Sequence, residues 1–289
     1  MSTGIEWTHR PGTIGESWNM IGGCTKVSDG CINCYALPTS WRIQNNPNRP
    51  DRYEGIAGQT ECDHPYLPEK HFLQWTGRVN LDYDALQIPY RWKAPRTVFV
   101  CSMADLFHPK APDQFISRAF QTMFENRRHT FLVLTKRATR MRNLMSAWKT
   151  LPNVWLGVST ENQEQADKRI PDLLQTPAAV RFVSVEPMLG PVRWLTTDND
   201  AARSRVIGAG KPHEWRPTGA ISKGIDWLII GCESGPNRRP MELEWALDLV
   251  RQCDAAKVAV FVKQLPINGR VSHDPTEWPA ELQRREYPK

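Results

Sequence analysis

The chain of 289 residues lacks several things, and each absence narrows the field. No apolar run approaches the roughly 18 residues that a membrane span needs, and the mean hydropathy of −0.52 agrees with that. The opening stretch, Met1 to Trp18, lacks the basic-then-apolar order of a secretory leader. A soluble, cytoplasmic protein is therefore expected. No internal repeat and no low-complexity block is visible. With 40% hydrophobic and 24% charged residues the composition is globular, neither disordered nor collagen-like. An even cysteine complement is also missing. Seven cysteines without a leader argue against a disulfide framework and for metal or redox chemistry.

Two features are present in excess. The formal charge is +6, with a pI near 9.0, which favours an anionic partner such as nucleic acid or nucleotide. Twelve tryptophans far exceed normal usage. They suit either a tryptophan-rich core and rim or a set of stacking surfaces for bases.

From Arg96 onward, short apolar runs alternate with amphipathic stretches. The runs are Thr97–Cys101, Thr130–Leu134, Val154–Val158, Val180–Val185, Trp227–Ile230 and Val258–Val262. Continuous Val, Ile and Phe at this length predict parallel strands covered on both faces. Between them, helices are expected over Asp113–Asn126, Thr139–Trp148, Asn162–Gln175 and Glu242–Ala256. In the first, Phe115, Ala119, Phe120, Met123 and Phe124 form a core-facing side, and Asp113 after Pro112 reads as an N-cap. A further strand around Asn19–Gly23 makes six or seven parallel strands. The pattern predicts one α/β domain over 1–289, a partial (β/α) barrel, with an open doubly wound sheet as the alternative. Loop-rich insertions are expected at 45–94 and 196–224.

The cysteine pattern is the sharpest signal. Cys24, Cys31 and Cys34 stand at C-x6-C-x2-C spacing in a Gly-rich, polar loop after the first strand. Three thiolates can hold three irons of a four-iron cluster and leave the fourth open. A structural zinc site wants four ligands, usually in paired C-x-x-C units. No second pair exists here, although Cys62 or His64 could complete a zinc site. Cys101, inside an apolar run, and Cys253, on a helix, are expected to be core.

With these cysteines, ordered blocks run along most of the chain: Gly4–Thr8, Gly22–Ala36, Arg91–Pro95, Val98–His108, Leu134–Arg137, Asn153–Ser159, Ser184–Pro187 and Gly231–Gly235. On these blocks the chain resembles the radical S-adenosylmethionine superfamily. It is most similar to a phage and bacterial three-cysteine family distantly related to spore photoproduct lyase. The x6 spacing departs from the x3 of most superfamily members but suits that family. Cys232 stands where relatives have Gly. The resemblance implies a radical-SAM-like barrel with a [4Fe–4S] cluster on Cys24, Cys31 and Cys34. It also implies S-adenosyl-L-methionine bound at the C-terminal mouth, cleaved to a 5′-deoxyadenosyl radical that abstracts hydrogen from substrate. An electron donor such as flavodoxin or ferredoxin is implied as well. Tyr35 matches the aromatic position near the adenine, or simply caps the first helix.

Independently of that resemblance, almost every apolar run ends in polar groups, at the strand ends where parallel barrels carry their active sites. Among these, the resemblance makes Ser102 and Asp105 candidates for the methionyl amine, and Ser159 and Glu161 for the ribose. Glu186 and Glu233 are candidates for substrate binding or proton transfer, and Cys232 for hydrogen-atom donation. Lys136, Arg137 and Lys263 suit a cofactor carboxylate or substrate phosphate, and Arg238 and Arg239 a backbone phosphate. The expected substrate is a modified pyrimidine in phage DNA, rearranged at its 5-substituent by an isomerase or lyase type of reaction. The alternatives are a free nucleotide or small metabolite, and a zinc-stabilised nucleic-acid-binding protein without catalysis.

Overall fold

The computed structural model describes residues 3–60, 72–194 and 224–288. In chain order the strands are β1 (Ile14–Trp18), β2 (Ile21–Gly22), β3 (Ala57–Thr60), β4 (Phe72–Trp75), β5 (Asn80–Leu81) and β6 (Arg96–Val100). They continue with β7 (Thr130–Thr135), β8 (Val154–Ser159), β9 (Val180–Val185), β10 (Trp227–Gly231), β11 (Ala259–Ile267) and β12 (Arg270–Ser272). The helices are α1 (Ala36–Gln44), α2 (Asp113–Glu125), α3 (Ala138–Met145), α4 (Gln163–Leu174) and α5 (Leu243–Ala256).

Eight strands form one sheet in the order β1-β6-β7-β8-β9-β10-β11-β12. Neighbours from β1 to β11 pair in parallel, and only β12 turns back as an antiparallel edge. The sheet curls into an open half-barrel flanked by helices, a partial (β/α) barrel. Two small antiparallel pairs, β2 with β5 and β3 with β4, lie within and beside the segment 45–94. The second expected insertion, 196–224, falls outside the described residues apart from Gly224.

The alternation of side chains across each strand separates two cores. Facing outward, Val98, Val100, Phe131, Val133, Leu156, Val158, Val183 and Leu228 pack with Phe115, Ile116, Ile170 and Leu249 of the helices. Facing inward, Phe99, Leu132, Trp155, Phe182, Trp227 and Phe261 fill the barrel together with Trp7. Trp7 comes from a short N-terminal turn, Glu6–Thr8, and its ring lies 4.6 Å from Phe99 and 6.1 Å from Trp227. Gly157 is required here, because a Cβ at that position would stand 2.6 Å from the Phe182 ring.

Three local expectations are corrected. The first barrel strand is Ile14–Trp18, not Asn19–Gly23; the latter contributes only the two-residue β2. Asp113 occupies the first turn of α2, with Pro112 as the capping residue, and its carboxylate accepts instead from Arg140 at 2.7 Å. Phe124 leaves the core face and is exposed, covered by the Arg127 guanidinium 4.4 Å from its ring centre. Of the described tryptophans, Trp7, Trp18, Trp155, Trp194, Trp227 and Trp278 are buried, while Trp41, Trp75, Trp92, Trp148 and Trp245 are partly exposed. Among the described residues, no helix is long and apolar enough to cross a membrane.

Candidate functional site

Above the aromatic floor, the same inward positions become polar toward the C-terminal strand ends. A cavity of about 520 Å³ opens there, within the range of small-molecule sites. Cys24, Cys31 and Cys34 all line it, as do Tyr35, Ser102, Asp105, Lys136, Arg137, Ser159, Glu186, Cys232, Glu233 and Lys263. Residues as distant in sequence as Cys24 and Lys263 thus meet at one mouth.

The loop bearing the cysteines is held from three sides. Asp105, 6% exposed, accepts from the amides of Phe107 and Lys136, the Thr135 hydroxyl and, at 2.8 Å, the Arg137 guanidinium. Arg137 in turn donates to the carbonyl and hydroxyl of Thr25, at 3.1 and 2.9 Å. Glu161 is fully buried; it accepts from the Gly30 amide at 3.2 Å and from Arg169 at 2.9 Å. A Cβ on Gly30 would come within 2.9 Å of that carboxyl, so only glycine lets the loop settle there. Glu233 accepts from Asn33 Nδ2 at 2.9 Å and from Arg239 Nε at 3.0 Å. Arg239 also reaches the Asp29 carbonyl at 2.9 Å.

These partners show how each residue is held. Glu161 is wholly buried behind the loop. Arg137 is paired with Asp105 and Arg239 with Glu233, the Arg239 side chain keeping 29% of its exposure. Asp105 and Glu233 each accept from several protein donors. Arg238 is exposed, bonded to the Gly235 and Gly269 carbonyls. Ser102 donates to Asn19 at 3.2 Å, and the Tyr35 hydroxyl donates to the Ser102 carbonyl at 2.5 Å while its ring stays half-exposed at the mouth.

The remaining polar groups face the cavity with lighter commitments. Lys136 donates to Ser159 Oγ at 2.6 Å. Lys263 and Glu186 form an ion pair whose side chains keep 17% and 20% of their exposure. The pairing of β10 with β11 slips after Ile230, so that Gly231 stands opposite Gln264 and Lys263 is skipped. Such a bulge re-aims side chains, and both Lys263 and Gln264 line the cavity. Cys232 is buried between them, its carbonyl accepting from Gln264 at 2.7 Å.

The electrostatics follow this geometry. Burial, reinforced by the Asp105 charge, pushes the Cys24 thiol up to about 12. Burial also raises Cys34, with the neighbouring Cys31 adding to it. The Cys232 thiol rises to about 11 through burial and then Glu186. For Glu161, burial acts upward, but Lys136 and Arg169 outweigh it and hold the carboxyl below its ordinary range. Glu233 is likewise desolvated, yet its bonds from Arg239 and Asn33 keep it low. Burial alone would lower Lys263; Glu186 more than offsets it and keeps the ammonium charged.

The donor set bears on what the loop could hold. Cys24, Cys31 and Cys34 are free thiols. Among the described residues, no three of the His, Cys, Asp and Glu side chains converge on one ion-sized point. A single zinc ion demands that convergence, and Cys62 and His64, considered as zinc ligands, lie outside the described residues. A four-iron cluster takes each cysteine at a different iron. Cys24, Cys31 and Cys34, all on the cavity wall, are the residues of matching donor type. Sequence reasoning missed Thr25, Asn33 and Arg169, which tie the loop, and the pair Glu6–His273, bonded at 2.5 Å on the far wall. Thr25, Asn33 and Glu6 carry only the signal of polarity within the blocks Gly4–Thr8 and Gly22–Ala36, and Arg169 and His273 carry none.

The chain belongs to the family described as "Protein of unknown function (DUF5131)", which matches residues 2–282. No curated protein and no solved structure matches it.

Proposed function

We propose that this protein is a radical S-adenosylmethionine enzyme in which Cys24, Cys31 and Cys34 each hold one iron of a [4Fe–4S] cluster. The observation supporting this reading is the placement of three free cysteines, on one tethered loop, around an open-mouthed cavity at the C-terminal ends of a partial barrel. When bound, the cluster and S-adenosylmethionine supply one-electron reduction and hydrogen-atom abstraction. The chain's own residues do the rest. The half-exposed Tyr35 ring offers a face to the adenine at the loop side of the mouth. Ser102, Ser159 and Lys136 offer a hydroxyl, a hydroxyl and an ammonium to the cofactor's polar groups. Glu186, Lys263 and Cys232 face the other wall, where substrate would sit. The Trp7, Phe99 and Leu134 side chains below exclude water from the reacting centre.

The substrate in this reading is a modified pyrimidine of DNA, altered at its 5-substituent, and the reductant is a flavodoxin- or ferredoxin-like donor. A second reading, a free nucleotide or small metabolite, is favoured by one observation. Arg239, which suggested nucleic acid, is paired with Glu233, and none of the described tryptophans is among the exposed residues.

The test is anaerobic incubation of iron- and sulfide-reconstituted protein with reductant, S-adenosylmethionine and DNA bearing 5-substituted pyrimidines, or the corresponding free nucleotides. Nucleosides are then analysed by mass. The expected result is 5′-deoxyadenosine from the wild type and none from Cys24→Ala, Cys31→Ala or Cys34→Ala. Retained formation in all three variants overturns the cluster assignment. Conversion of the free nucleotide alone selects the second reading.

A further inference from the structure

We propose that Asp105, Glu161 and Glu233 are positioning residues that hold the cysteine loop in its ligating shape before any metal arrives. This rests on the cluster reading above, but the loop's own behaviour tests it separately. The three carboxylates descend from different strand ends, after β6, β8 and β10. Each addresses a different part of the loop: Thr25 through Arg137, Gly30 directly, and Asn33 directly with Asp29 through Arg239. The contacts fall beside each of the three cysteines, one residue after Cys24, one before Cys31 and one before Cys34.

Several observations set these contacts apart from ordinary surface pairing. All three carboxylates are at least nine-tenths buried, yet all are charged acceptors. A buried ion pair adds little net stability, so three of them beneath one loop call for a use beyond holding the barrel together. The barrel below already has its own continuous aromatic and aliphatic cores. The loop, by contrast, carries no core of its own: Val27, Ile32 and Tyr35 are among its exposed side chains. A loop with so little buried apolar surface would be expected to open readily. Here hydrogen bonds to fixed carboxylates replace the missing core. Residues that orient metal ligands from behind commonly change metal affinity about 10- to 100-fold when removed.

The test uses full-length metal-free protein and hydrogen–deuterium exchange, followed by reconstitution with iron and sulfide. In the wild type without metal, amides of Asp29–Asn33 are expected to be protected, Gly30 included. Glu233→Gln, at the most accessible of the three contacts, is expected to speed exchange across Asp29–Asn33 about tenfold while the barrel strands keep their protection. Once reconstituted, it is expected to lose iron to a chelator about tenfold faster. Glu161→Gln serves as the second variant, since glutamine still accepts from Gly30 and its exchange rate should change less than that of Glu161→Ala. Unprotected loop amides in the metal-free wild type overturn the proposal. So does Glu233→Gln exchange indistinguishable from wild type. A protected loop that Glu233→Gln loosens, in a protein that binds no iron, would uphold the positioning role and reject the cluster reading.

Discussion

The barrel interior is built from one set of strands but from two materials. Below the mouth, the rings of Phe99, Trp155, Phe182, Trp227 and Phe261 close it together with Leu132. Two to four residues further along the same strands stand Ser159, Ser184, Glu186 and Lys263. The acidic residues of the mouth divide again. Asp105, Glu161 and Glu233 are filled by protein donors, whereas Glu186 has Lys263 as its charged partner and faces the cavity. The comparison teaches that acidity at a strand end does not by itself mark chemistry. What matters is whether the carboxylate already has its partners.

The largest effect should come from the floor. Trp227 is wholly buried and meets Trp7, Trp155, Phe182 and Phe261. Trp227→Ala is expected to cost about 3–5 kcal/mol of folding stability, measured by denaturant unfolding. A loss below about 1 kcal/mol would mean that the ring cluster is a filler and not the foundation of the mouth.

Glu186→Gln should show the opposite profile. It removes a charge facing the cavity and keeps the shape, so stability should fall by about 1 kcal/mol at most. Product formation should fall about 10- to 100-fold, equivalent to about 1.4–2.7 kcal/mol in barrier. Uncoupled 5′-deoxyadenosine release should persist, because in the proposed reading Glu186 meets substrate. If both products fall together, Glu186 belongs to the cofactor side instead.

Much of the fold is legible in the sequence, and the reason is physical. Strands β6 to β11 are built on apolar runs because both faces are covered, so their positions follow largely from composition. Strand β1 is an edge and reads Ile-Gly-Glu-Ser-Trp, half polar; the more apolar Met20-Ile21 beside it attracts the assignment. The cysteine loop is legible because three ligand-type residues fall close together. Its tethers are not, since Thr25 meets Arg137, Gly30 meets Glu161 and Asn33 meets Glu233 across 112, 131 and 200 positions. Local periodicity carries no information at that range. The Arg238-Arg239 pair shows the same limit: adjacent, alike in sequence, and put to different uses by the fold.

At the floor end, His129 gives a smaller, pH-dependent effect. It lies just before β7, 1% exposed, between Trp92 and Phe131. Its Nδ1 accepts from the Arg96 amide at 3.2 Å, while among the described residues Nε2 has no close hydrogen-bond partner. Burial, with the Arg128 charge next, pushes the ring from 6.5 down to about 4. The folded pKa is therefore depressed below the unfolded one. The unfolded chain takes up the proton first, so the neutral ring's contribution is complete above about pH 6.5 and is lost as pH falls toward 4. We expect about 3 kcal/mol to disappear over that window, and His129→Phe to flatten it. An unchanged pH profile in that variant would place the titration elsewhere.

The smallest effect separates the two adjacent arginines. Arg238 is exposed and bonds only backbone carbonyls, whereas Arg239 is drawn under the loop by Glu233 and Asp29. If DNA lies across the mouth, Arg238 is the one of the two that can neutralise a phosphate. Arg238→Ala should then weaken binding a fewfold at moderate salt and reduce the slope of log affinity against log salt by about 0.9, the share of one phosphate contact. It should leave iron content and loop exchange untouched. Arg239→Ala should do the reverse, loosening Asp29–Asn33 with little direct change in salt slope, because its charge is already matched by Glu233. Measuring both variants by binding titration at several salt concentrations distinguishes the two partners. An identical salt slope in wild type and Arg238→Ala would remove this arginine from any phosphate contact and shift the balance toward a small-molecule substrate.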